Sequence, residues 1–87
     1  MYRVLIKEDA VLDIERLDKS MSRRITKKIS WLAENALSIK PDGLHGKLSR
    51  FSKLRYGDYR IIYEIIHTKK LVIIHLVGHR SDVYKPE

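Results

Sequence analysis

Lys53, Arg55 and Arg60 bring three cations onto a segment that reads as a β-hairpin. Gly57-Asp58, between Tyr56 and Tyr59, is a two-residue turn signal. Side chains alternate across a strand. A turn of that length therefore sets Tyr56 against Tyr59, Arg55 against Arg60, Leu54 against Ile61 and Lys53 against Ile62. One face then carries Phe51, Lys53, Arg55, Arg60, Ile62 and Glu64, and the other carries Ser52, Leu54, Tyr56, Tyr59, Ile61, Tyr63 and Ile65. The second set is a core face. On the first, two guanidinium groups stand opposite one another, which costs an empty protein roughly 0.2–1 kcal/mol. An oxyanion would relieve that cost, because arginine stays protonated and its fork donates two bonds to a phosphate. Bound sulfate or phosphate should stabilise the protein for the same reason, and removing Arg60 should leave the empty protein at least as stable as before.

Positioning these groups takes a small α+β scaffold. Residues 2–7 are rich in β-branched and aromatic types and read as a strand. Ala10, Ile14 and Leu17 form one helical stripe with Asp9 as the expected N-cap. After a break at Asp18-Lys19-Ser20, Met21, Ile25, Ile29, Leu32 and Ala36 line one face of a longer helix. Arg23, Arg24, Lys27 and Lys28 lie on its other side. Pro41-Asp42-Gly43 and Gly46 make residues 37–50 a loop, which His45, Lys47 and Arg50 render basic. The hairpin strands end at Tyr56 and Ile66, and His67-Thr68-Lys69-Lys70 turns the chain into a strand over Leu71–Val77. Pairing across that turn puts Ile62 opposite His75 and Arg60 opposite Val77. Gly78-His79-Arg80 ends the strand, and Ser81 to Tyr84 make one helical turn.

The expected order is β-α-α-β-β-β: a two-helix hairpin packed on one face of a small, mainly antiparallel four-stranded sheet. The first strand lies at an edge or beside the last. Leu54, Ile61, Tyr63, Val72, Ile74 and Leu76 face the helices, and the opposite face, with Lys53, Arg55, Arg60 and His75, stays partly open.

At 87 residues the chain holds one core, so residues 1–87 are expected to form a single domain. Its 44% hydrophobic content is that of a globular protein, and its net charge of +7 points to an acidic partner. The apolar runs are too short to span a bilayer, and the amino terminus does not read as a signal peptide, so a cytoplasmic location is expected. Cysteine is absent, which excludes disulfides and thiol-bound metals.

Lys53-Leu54-Arg55, Gly57-Asp58-Tyr59-Arg60-Ile61-Ile62-Tyr63-Glu64 and Val77-Gly78-His79-Arg80 through Asp82-Val83-Tyr84 resemble the RelE branch of the RelE/ParE toxin superfamily. The likeness covers almost the whole chain. It implies a RelE-like microbial ribonuclease fold and the toxin component of a toxin–antitoxin system. The implied activity is a ribosome-dependent endoribonuclease that cuts mRNA in the A site by attack of the ribose 2′-OH on the adjacent phosphate, with no metal or other cofactor. The implied partners are a cognate acidic antitoxin, the ribosome and mRNA, with operator DNA reached only indirectly through the antitoxin and no membrane. Carried over by motif, Lys53, Arg60, Arg80 and Tyr84 become the catalytic set, with Arg55 and His79 as further candidates. Arg23, Arg24, Lys27, Lys28, Lys47 and Arg50 become candidate RNA contacts. The family's second lysine, two residues before Lys53, is replaced by Phe51, while Arg50 should point to the other face of a regular strand. The chain stops three residues after Tyr84, implying a member without the extra carboxyl-terminal helix.

Such a cleavage needs a base for the hydroxyl proton, cations for the phosphorane and a donor for the departing 5′-oxygen. Arg60 and Arg80 suit the second task. For Lys53 to act as the base it must first lose its own proton, which Arg55 and Arg60 encourage. His75 and His79 are alternatives. His75, on an apolar strand, reads first as a packed histidine and is left outside the set. Tyr84 can stack on a base. Tyr56, Tyr59 and Tyr63 read as packing, and Trp31 as packing or a partner contact. Two other outcomes share this fold: a ParE-like toxin that inhibits DNA gyrase without cutting RNA, and a catalytically inactive relative that binds antitoxin or nucleic acid.

Overall fold

Gly57, at φ +57°, supplies the left-handed residue that the hairpin turn needs. The structure, a computed structural model, describes residues 1–83. Strands β3 (Ser52–Tyr56) and β4 (Tyr59–Ile66) flank that turn, and Tyr56 pairs with Tyr59, Arg55 with Arg60, Leu54 with Ile61 and Lys53 with Ile62, as expected. Before them come β1 (Arg3–Ile6), α1 (Glu8–Glu15), α2 (Lys19–Glu34) and a two-residue β2 (Asp42–Gly43). After them come β5 (Leu71–His79) and a helical turn, α3 (Arg80–Val83). The sheet order is β1-β5-β4-β3-β2. Strand β1 runs parallel to β5 from the edge, so both expected placements hold at once, and the other pairings are antiparallel.

The class is the expected α+β, with one strand more than the four expected. Strand β2 lies in the stretch read as a loop and pairs Asp42 with Lys53 and Gly43 with Ser52. Two residues of Asp-Gly carry no strand signal of their own, and the neighbouring β3 imposes the extended form.

Helix α2 is capped as its sequence suggests, with Asp18 Oδ1 accepting from the Met21 amide at 2.8 Å. Helix α1 starts one residue before Asp9. Lys7 precedes it with no side-chain cap, and Glu8 and Asp9 occupy the first turn, where their charge meets the amino-terminal end of the helix dipole. Ile25, Ile29 and Leu32 pack with Ile61, Tyr63, Val72 and Ile74 in one buried cluster, so both helices cover one sheet face.

The partnering of β4 with β5 departs from expectation. From Tyr63 outward it follows the expected register, Tyr63 to Ile74 through Ile66 to Leu71. Between Ile62 and Tyr63 it slips by one, so Ile62 faces Leu76 and Arg60 faces Gly78, rather than His75 and Val77. His75 is the extra residue of a β-bulge, which sets two residues against one and reverses side-chain parity beyond it. Leu76, expected under the helices, is therefore 38% exposed, and Val77 enters the core at 3%. Past the end of β1, Asp13 Oδ2 accepts from the Val77 amide at 2.9 Å and satisfies that stretch of strand edge.

Candidate functional site

The face without helices carries the hairpin's cations, and the structure treats them unequally. Arg60 is 8% exposed, the one buried charged side chain among the described residues. Its Nη1 donates to the carbonyls of Gly57 and Tyr59, each at 3.0 Å. The guanidinium is thus folded onto its own turn, and glycine at 78, its cross-strand partner, adds no competing side chain. No buried side-chain nitrogen or oxygen among the described residues is left without a partner. The Nε and Nη2 groups of Arg60, which have no protein acceptor among those residues, therefore meet solvent. A guanidinium held by one amino group and open along its other edge is oriented for a bidentate anion.

Lys53 is half-buried, with Nζ 3.8 Å from Asp42 Oδ2, a contact made by the unexpected strand β2. Arg55 is exposed and helps line a cleft of about 440 Å³ at the outer edge of β3, with Trp31, Ile39, Lys40, Leu54 and Tyr63. It faces Arg60 in register but lies at the rim, because Arg60 has turned back onto the hairpin tip.

Arg80 opens α3 and is exposed, and its amide donates to the Asp58 carbonyl at 2.8 Å. That bond ties the end of β5 to the hairpin tip and brings Arg80 to the end of the sheet where Arg60 is held. His79 goes elsewhere. It pairs with Tyr59, and their rings meet edge-on at 5.9 Å on the face that packs toward the helices. The Ser81 amide donates to its Nδ1 at 3.2 Å, and the Ser81 hydroxyl lies 2.8 Å from the same nitrogen. Tyr84 lies outside the described residues.

The structure adds a group that the sequence reading set aside. His75 Nε2 is 3.1 Å from Glu64 Oε1, and the His75 ring meets Phe51 edge-on at 4.6 Å. Arg50 does not point away. Phe51 precedes the first residue of β3, so the alternation does not yet apply, and the Arg50 guanidinium lies 4.7 Å from the Phe51 ring centre. The sequence signal for the His75 pairing was Glu64 on the open face. What hid it was the apolar run around His75, which made the ring read as packing.

The family described as ParE toxin of type II toxin–antitoxin system matches residues 4–84. The chain belongs to that family, within the RelE/ParE superfamily. A curated RelE-like toxin protein of Escherichia coli is 31% identical over 86 residues, covering 95% of this chain and 90% of that one. Among solved structures, the RelBE2 toxin–antitoxin complex of Mycobacterium tuberculosis matches at a TM-score of 0.81 and 26% identity, over 93% of each chain. The isolated RelE toxin of Escherichia coli matches at 0.76 and 26%, over 97% of this chain and 92% of that one.

On this RelE/ParE-family chain the remaining basic residues are separate from the sheet face. Arg23, Arg24 and Lys27 are exposed on α2, on the side away from its buried stripe and so across the molecule from Arg60. Lys28 lies 4.2 Å over the exposed Trp31 ring. Lys47 is exposed in the short 3₁₀ turn Gly46–Leu48. Among the described residues no helix is long and apolar enough to cross a membrane, and no group of three His, Asp or Glu side chains is placed to hold a metal ion.

Proposed function

We propose that this toxin is a ribosome-dependent endoribonuclease that cleaves mRNA by attack of the ribose 2′-OH on the adjacent phosphate. The observation that carries the reading is the state of Arg60: buried, clamped through Nη1 to two turn carbonyls, and open along its other edge on the uncovered sheet face. Lys53 stands on the same face, and Arg80 stands at the adjoining end of β5. Three cations around one phosphate stabilise the charge that grows on the phosphorane oxygens. In the resemblance to RelE, Tyr84 completes the set by stacking on a base or donating a hydrogen bond. The exposed cations of α2 serve as sequence-independent contacts to ribosomal RNA. The held state is a complex with an acidic antitoxin, as the RelBE2 match supports, and its affinity falls as salt rises.

Primer extension on mRNA from ribosomes incubated with the purified protein tests this. New transcript ends should appear with the parent, and Arg80→Ala should reduce them by on the order of a hundredfold. A parent protein that leaves the transcripts whole sinks the ribonuclease reading.

A second reading has one observation in its favour, namely that the matching family takes its name from ParE toxins. The protein would then inhibit DNA gyrase and cut no RNA. Loss of gyrase supercoiling with intact mRNA would select it. The combination of Lys53, Arg60 and Arg80 favours the nuclease, since the gyrase-inhibiting branch lacks that basic set.

A further inference from the structure

Phe51, Glu64 and His75 come from three adjacent segments of the sheet and meet on its uncovered face, outside the phosphate-binding set. His75 is the extra residue of the β5 bulge and keeps the side of the sheet that simple alternation gives it. Its side chain and that of Glu64 are only 19% and 23% exposed, so the pair is largely shielded from water. A carboxylate only accepts, so His75 Nε2 carries the hydrogen of the 3.1 Å bond to Glu64. That fixes the tautomer and leaves the lone pair on Nδ1. Nδ1 has no protein partner among the described residues, where no buried side-chain nitrogen is unpartnered, so it meets solvent. The ring is further held by the edge of Phe51. A carboxylate-oriented imidazole with a free, solvent-facing nitrogen is built to accept a proton.

Its position fits the chemistry. Lys53 pairs with Ile62, Glu64 follows Ile62 by two residues on the same face, and Phe51 precedes Lys53 by two. Two residues along a strand are about 6.8 Å and neighbouring strands about 4.8 Å apart. An imidazole reaching from β5 to the Phe51 ring therefore stands about one such step from the Lys53–Ile62 pair. A 2′-oxygen poised for attack is about 3–3.5 Å from its phosphorus. A phosphate held by Lys53 and Arg60 can thus present its 2′-OH toward His75.

We propose that His75, oriented by Glu64, is the general base of the cleavage, an inference that rests on the ribonuclease reading above. His75 Nδ1 takes the 2′-OH proton as the 2′-oxygen bonds to phosphorus. The bond from phosphorus to the 5′-oxygen breaks, and that oxygen takes a proton from water. The products are a 2′,3′-cyclic phosphate and a 5′-hydroxyl, and the imidazolium returns its proton to solvent. The charged groups on the same sheet face are Lys53 and Arg55 from β3 and Arg60 from β4, with Arg50 over Phe51, and Glu64 is the carboxylate in contact. Glu64 is a positioning residue.

The test is single-turnover cleavage of ribosome-bound mRNA across pH, with the fold checked by circular dichroism. His75→Ala should slow cleavage by on the order of 10²–10⁴-fold without loss of ribosome binding, and added imidazole should restore part of the rate. Glu64→Gln keeps the shape but removes the charge beside the ring, and should displace the acidic limb of the pH–rate profile. A folded His75→Ala protein that cuts within about threefold of the parent overturns the proposal. If His75→Ala does not fold, the Glu64→Gln profile decides: displacement supports the base and an unmoved limb overturns it. A parent that cuts nothing removes the ribonuclease reading and the base together. A parent that cuts beside a fully active His75→Ala removes the base alone.

Discussion

Replacing Arg60 with alanine tests whether this guanidinium braces the fold or strains it. The parent side chain is 8% exposed and gives two hydrogen bonds of 3.0 Å to Gly57 and Tyr59. A bond from a charged donor contributes about 1.5–3 kcal/mol when its acceptor is dry. Gly57 is exposed, so water can replace part of what its carbonyl loses, and about 1 kcal/mol for each bond is the appropriate size here. Loss of the buried arginine stem adds to this. Relief of the facing Arg55 subtracts roughly 0.2–1 kcal/mol. The bonds prevail, and the net cost is about 2 kcal/mol. For a domain of this size, 1 kcal/mol moves the melting temperature by about 4–8 °C, so Arg60→Ala should melt about 8–16 °C below the parent. Arg55→Ala, which removes only the repulsion, should melt at or slightly above it. Thermal denaturation by circular dichroism in low salt measures both. Sulfate against chloride at matched ionic strength then reads the open edge of the guanidinium. The parent should gain more from sulfate than Arg60→Ala, the common remainder being general exclusion of the anion from protein surface. An Arg60→Ala protein melting at or above the parent would refute the brace and restore the opposite sign that the sequence pattern suggests.

Two further perturbations check the packing. Tyr63 is 2% exposed, and burial pushes its hydroxyl above the usual tyrosine value of 10.0, against a hydrogen bond from Ser52 that lowers it and with the Asp42 charge raising it. A group whose folded value lies above its unfolded one contributes stability below the unfolded value and loses it as pH rises through the folded one. The parent should therefore lose stability above about pH 10, and Tyr63→Phe should flatten that part of the denaturant-midpoint curve. Val77→Ala should cost about 2 kcal/mol in chemical denaturation and Leu76→Ala less than half as much, an order that reverses if β5 has no bulge.

The hairpin was legible because its determinants are local. Gly57-Asp58 sets the turn, two-residue parity carries every pair from Tyr56–Tyr59 to Ser52–Tyr63, and the open face follows. The stripe of α2 was legible for the same reason, since Ile25, Ile29 and Leu32 satisfy the helical period by themselves. Features set by contacts between segments were not. Strand β2 exists because β3 offers it an edge, and Asp-Gly says nothing of that. The fold-back of Arg60 depends on which carbonyls lie within reach of a long side chain, and alternation predicts the side of the sheet but not the destination of the guanidinium. Arg50 was misdirected because parity was applied two residues before the strand begins.

The bulge matters most, because it joins a packing problem to the chemistry. Leu71–Val77 is nearly all apolar, so sliding its pairing by one residue leaves the composition of each face almost unchanged and the pattern cannot report the slip. His75, the one polar residue of the run, lies on the open face in either register and so does not mark the slip. In an unbroken strand, Val77 shares the parity of His75 and would be drawn out of the core to which Ile61 and Tyr63 belong. The bulge lets Val77 pack beneath the helices and places Gly78 rather than Val77 opposite Arg60, while His75 keeps the open face on which it meets Glu64 and Phe51. One additional residue thus serves both the core and the seat of Arg60. A deletion that restored simple alternation would have to sacrifice at least one of the two.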